Sequence, residues 1–146
     1  MVVISFLLAV LGGSLNTVQS GANAALQKAI GQPLATALIV SAVNAAVYLA
    51  LIPVLGIAWP GARFAQVPWW AWFGGALGAV YVLSVIYFAE KLGAATFTGL
   101  SVAAALITSV ILDHFGWVGF QQHTAGLWRI LGCALMVGGL GLIAVF

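Results

Sequence analysis

The sequence predicts an all-α integral membrane protein with five transmembrane helices. Three observations lead there. Hydrophobic residues make up 64% of the chain and charged residues only 4%, whereas a soluble domain carries roughly 25% charge. Turn and breaker residues divide the chain into five apolar stretches, each near the ~20 residues that a helix needs to cross a bilayer. The two-residue alternation of a membrane barrel is absent, which leaves a helical bundle as the way to satisfy the backbone in hydrocarbon. This composition excludes a soluble enzyme, a nucleic-acid binder and a disordered linker. It implies a single transmembrane domain over residues 1–146 embedded in a lipid bilayer.

The first span runs from about residue 2 to 30 and ends at Gly31-Gln32-Pro33. Its start resembles a signal peptide, with Ala22-Asn23-Ala24 as a cleavage mimic. No basic region precedes it and the helical apolar pattern continues, so a retained helix is expected. The second span covers about 33–58, with Pro33 in its first turn, Pro53 predicted to kink it and Trp59-Pro60-Gly61 to stop it. The third runs from Pro68 to Leu92 and is closed by Gly93; the fourth covers 94–114 and the fifth 126–146. Connections of a few residues make neighbouring helices antiparallel. The lone Cys133 rules out an internal disulfide and a cysteine-based metal site.

Five crossings put the termini on opposite faces of the membrane. If the N-terminal face is side B and the other side A, Lys28 and Lys91 lie on A, and Arg63 and Arg129 on B. Orientation follows the Lys/Arg difference between short loops. Here that difference is zero, as expected for a chain of dual topology. All six tryptophans fall near the side-B ends of spans, where an indole ring anchors in the headgroup layer.

The first span carries the clearest polar signal. Asn16, Gln19, Asn23 and Gln27 follow spacings of 3, 4 and 4 and share one helical stripe with Gly12. At roughly 1.5 Å per residue the stripe is about 16 Å long, from near the midplane to side A. Unpaired amides are costly in hydrocarbon, so this face turns towards protein or water. Amides bonding between helices explain one or two such residues; four in a row favour a polar pathway or binding site. Ser41, Asn44 and Tyr48 on the second span, Tyr81, Ser84 and Tyr87 on the third, and Thr98, Ser101, Thr108 and Ser109 on the fourth are polar positions that could face it. The substrate-binding candidates are Asn16, Gln19, Asn23, Gln27, Asn44, Tyr81 and Ser101.

Glu90 and Asp113 stand at C-terminal ends of spans, where the helix dipole disfavours an anion by about 0.3–1 kcal/mol. Each therefore calls for a cation, Lys28 or Lys91 for Glu90 and Arg129 or His114 for Asp113. Structural pairing is the favoured reading and a gate at the membrane surface the functional one. His114 and His123 lack metal-ligand spacing. No nucleophilic or hydrolytic constellation and no phosphate-binding glycine loop is present. The expectation is a protein that is not an enzyme and uses no cofactor and no metal.

Several motifs together resemble a known family. They are Gln19-x-x-x-Asn23, Gln32-Pro33-Leu34-Ala35, Pro68-Trp69-Trp70-Ala71-Trp72, Leu92-Gly93-Ala94-Ala95-Thr96, Leu112-Asp113-His114-Phe115-Gly116 and Arg129-Ile130-Leu131-Gly132. The pattern is similar to the short five-helix YdcZ-like family of the drug/metabolite transporter superfamily. That resemblance implies one half of a ten-helix transporter of inverted repeats in the bacterial inner membrane. A five-helix chain would pair antiparallel with a second copy or a paralogue, and solute would sit near the midplane. Family members often carry glutamine eight residues before the aspartate, where this chain has Ala105, so a polar contact implied for the fourth span is missing.

The functional expectation is a carrier of a small polar solute, neutral or zwitterionic since the first span has no acidic residue, working by alternating access as an antiparallel dimer. The alternatives are a dual-topology channel and a non-transporting membrane assembly subunit.

Overall fold

The computed structural model describes residues 2–59 and 61–145. Met1, Pro60 and Phe146, assigned above to the first span, the stop after the second and the last span, lie outside the described residues. Among the described residues there are five α-helices and no strand: α1 (Val2–Ile30), α2 (Pro33–Val54), α3 (Phe73–Leu92), α4 (Ala94–Phe115) and α5 (Leu127–Val145). All five are long and apolar enough to cross a membrane, α3 together with the short turn ahead of it. The chain groups into two compact units, one ending at Lys91 and the other beginning at Leu92.

Helix ends follow local chemistry. Gly31 stops α1 with φ +73°, a conformation open to glycine at little cost, and its N–H donates to Gln27 O at 2.8 Å. Gln32 is extended and Pro33 occupies the first turn of α2, where a missing N–H costs nothing. α2 ends at Val54, about four residues before the expected stop. The N–H of Gly56 donates to Pro53 O at 3.2 Å and that of Ile57 to Ile52 O at 3.0 Å, with Gly56 at φ +62°. This is a Schellman ending. Pro53 therefore lies in the last turn of α2, where its missing N–H leaves the Leu49 carbonyl without the usual donor four residues on.

The segment from 55 to 72 is correspondingly longer than expected and holds two 3-10 turns, Gly61–Gln66 and Trp69–Trp72. α-Helical geometry in the third span begins at Phe73 instead of Pro68. Phe64 lies 5.9 Å from Trp59 and 6.1 Å from Trp72 between ring centroids. These exposed rings form an aromatic surface suited to the headgroup layer.

In the first unit, packing is concentrated at one end. Its buried residues are Ser20 and Asn23 on α1, Thr36, Ala37 and Val40 on α2, and Val85, Ile86 and Ala89 on α3. All lie in the helix halves that meet near the α1–α2 turn. Residues 2–15 of α1 and 73–81 of α3 are exposed throughout, as is α2 beyond Val40 except for half-buried Asn44 and Ile52. Gly12, Gly13, Gly74, Gly75 and Gly78 have open space where a side chain would be.

The second unit is a helical hairpin. A Cβ on Gly99 would sit 2.5 Å from Leu140 Cδ1, so α4 and α5 approach closely there. At the other end of α4 the connection back to α5 satisfies carbonyls that a helix terminus leaves open. Gly116, left-handed at φ +64°, donates to Leu112 O, His123 N–H to Asp113 O at 2.8 Å, and Gln122 Nε2 to His114 O at 3.1 Å. Ala125 N–H donates to His114 Nδ1 at 3.1 Å, which places the neutral ring's proton on Nε2.

Gly99→Val overpacks the α4–α5 contact and lowers stability by about 1–3 kcal/mol. Gly132→Val, which enters open space, costs less. Unfolding of the two variants side by side in detergent measures the difference.

Candidate functional site

The amide stripe of α1 meets three kinds of surroundings. Asn16 Nδ2 donates to the Tyr81 hydroxyl at 3.4 Å, bringing together two of the candidate residues from α1 and α3. Gln27 Oε1 accepts from Thr36 Oγ1 at 2.8 Å, and Thr36 is fully buried. The Thr36 hydroxyl also lies 3.1 Å from Gln32 O; its single proton serves the nearer acceptor.

Asn23, on the same face, is 7% exposed, and among the described residues its side chain has no hydrogen-bond partner. Its amide atoms nevertheless keep a small exposure, since among the described residues no buried side-chain nitrogen or oxygen lacks a hydrogen bond. Asn23 is thus a donor and acceptor held available at the packed end of three membrane helices.

Gln19 differs from the sequence expectation. It is exposed and without a partner among the described residues, and Ser20 takes the buried position beside it. The reason is angular. Asn16, Ser20, Asn23 and Gln27 centre on the packed face, while Gln19 stands about 60° from Asn16 at its margin. Asn44 is half-buried on α2, Ser101 half-buried on α4, and neither has a side-chain partner among the described residues. Ala105 is exposed on α4. Ser14, Thr17, Ser20 and Ser84 each bond back to the carbonyl four residues earlier, a local role for these hydroxyls.

The charged residues pair within their own units. Lys28 Nζ lies 3.7 Å from Glu90 Oε1, while Lys91 has no ion pair among the described residues. Arg129 Nη1 lies 3.4 Å from Asp113 Oδ2 and 3.5 Å from His123 O. His114 faces the α4–α5 connection instead of the carboxylate. Exposed pairs of this kind contribute roughly 0–1 kcal/mol, so Asp113–Arg129 mainly orients the connection. Among the described residues no cluster of His, Cys, Asp or Glu could hold a metal ion.

The profile of the family described as "Putative inner membrane exporter, YdcZ" matches residues 4–142. The chain belongs to the YdcZ family. A YdcZ relative, the "Inner membrane protein YdcZ" of Escherichia coli (strain K12), is 35% identical over 89 residues. That alignment takes in 61% of this chain and 59% of the length of its relative. No solved structure matches the chain. Family membership and the five apolar helices make this YdcZ protein a multi-pass protein of the inner membrane.

Thr36, absent from the candidates above, is the residue that sequence reasoning missed. Its signal was a hydroxyl in the first turn after Gln32-Pro33, nine residues beyond Gln27. Gln122 and Ala125 were likewise invisible, because their bonds depend on the path of the connection.

Asn23→Leu replaces an amide that makes no hydrogen bond among the described residues, at near-constant volume, and does not lower stability in detergent. Thr36→Val strands the Gln27 oxygen and lowers it by about 1 kcal/mol. Thermal unfolding in which only the second variant loses stability establishes which amide is held and which is free.

Proposed function

We propose that the chain is one half of a carrier that exports a small polar solute. Two copies, or one copy and a paralogue, insert in opposite orientations and expose the solute alternately to each side. The observation that carries this reading is Asn23, a mostly buried residue whose accessible amide has no partner among the described residues and which lies on the same face as Asn16 and Gln27. A purely structural stripe would pair its amides between helices, as Gln27 pairs with Thr36. A solute or water meets the need of Asn23 instead.

The packing gradient in the first unit supports the same reading. Helices that pack at one end and are exposed at the other match a half-site shut towards side A and open towards side B. The partner would cover the exposed inner faces near Gly12, Gly74 and Gly78 and the marginal amide of Gln19. Two inverted copies then form the inverted-repeat arrangement of transporters with midplane sites. The balanced Lys28, Lys91, Arg63 and Arg129 distribution permits both orientations. The family description supplies the direction, export.

Cysteine cross-linking in native membranes tests the arrangement. In a Cys133→Ala background, Gln19→Cys lies near the midplane in both orientations and is expected to cross-link between copies. Lys28→Cys is expected not to, because inverted copies place residue 28 on opposite faces. Self-cross-linking at 28 together with none at 19 contradicts the antiparallel dimer. Unitary currents from the purified protein in symmetrical KCl would instead favour a channel.

A further inference from the structure

A hollow of about 280 Å3 lies at the closed end of the first unit, lined by Gln27, Pro33, Ile86, Tyr87, Glu90 and Lys91 among others. Its polar groups are unevenly matched. Gln27 presents its NH2, because its oxygen is engaged by Thr36. The Tyr87 hydroxyl and the Lys91 ammonium have no hydrogen-bond or ion-pair partner among the described residues. All three can donate. The one strong acceptor, Glu90, has Lys28 Nζ 3.7 Å from its carboxylate. Lys28, Lys91 and Glu90 together carry a net charge of +1.

We infer that this hollow binds an anionic oxygen group, a carboxylate or a phosphodiester. Lys91 supplies the charge, while the Gln27 N–H and Tyr87 O–H supply directed hydrogen bonds. Pro33 and Ile86 offer apolar contact to whatever carries the anion. Glu90 limits the site. Held back by Lys28, it leaves room for one negative charge and repels a second. The buried Thr36 is a positioning residue, since it turns the Gln27 amide so that its N–H groups are available. The anionic group can belong to a free organic acid or zwitterion, or to a lipid headgroup at the membrane surface. That a free acid is cargo rests on the carrier reading above; its binding does not.

Two probes separate the sources, both with the full-length protein in maltoside detergent, which has no phosphate. Radiolabelled lactate is titrated at constant ionic strength with chloride as counter-anion, and dioleoyl-phosphatidylglycerol is titrated onto the delipidated protein and followed by native mass spectrometry. Lys91→Gln is expected to weaken binding about fourfold or more, and Glu90→Gln to strengthen it by about the same factor, as a unit charge a few ångströms away does in high dielectric. Thr36→Val weakens it without changing the charge.

Opposite shifts with lactate identify a free carboxylate site. The same pattern with phosphatidylglycerol, and no lactate binding, identifies a lipid headgroup site. Binding of neither probe overturns the inference. So does binding that Lys91→Gln and Glu90→Gln change in the same direction, or not at all. The Gln19 and Lys28 cross-links report on the carrier reading separately, so either can fail alone.

Discussion

An amide in hydrocarbon must be bonded, and the arrangement of the first unit follows from how α1 meets that demand. Its stripe cannot face lipid, so it turns towards α2 and α3. Three different answers then appear along one face. Asn16 donates to the Tyr81 hydroxyl, Gln27 is held by the buried Thr36, and the mostly buried Asn23 keeps an accessible amide with no partner among the described residues. The third answer is the one on which the proposed binding surface rests. Membrane helices gain little from burying apolar side chains against one another, because lipid is equally apolar. Polar bonds and close backbone approach therefore determine where these helices touch.

The same economy shapes the helix ends. Gly31, Gly56 and Gly116 adopt positive φ and return their N–H groups to carbonyls that would otherwise remain open. In the second unit, the connection between α4 and α5 is tied to the end of α4 through Gln122, His123 and Ala125. Asp113 and Arg129 reinforce this tie, so two of the family-like motifs, around Leu112-Asp113-His114 and Arg129-Ile130, hold a loop in place.

Much of this was legible before any coordinates. Span number followed from composition and breakers, and the α1–α2 turn from Gly31-Gln32-Pro33, because glycine and proline constrain the backbone locally. The stripe's direction was legible from its spacing. Its finer membership was not: Gln19 and Ser20 stand about 100° apart around the helix, Ser20 inside the packed face and Gln19 at its margin, and only neighbouring helices decide that. The end of α2 was misplaced because Pro53 reads equally well as a kink or as the last turn, and Gly56 settles the matter through its conformation. Thr36 and the lining of the hollow near Lys91 depend on contacts between helices, which periodicity along a single helix cannot reveal.

In the proposed arrangement one sequence can supply both halves of an inverted pair. Fusing, after Phe146, one reporter active only in the cytoplasm and another active only outside it puts this to the test. Comparable activity from both fusions at matched expression is the predicted result. Activity confined to one reporter contradicts the antiparallel homodimer and requires either a paralogue of fixed opposite orientation or a parallel assembly.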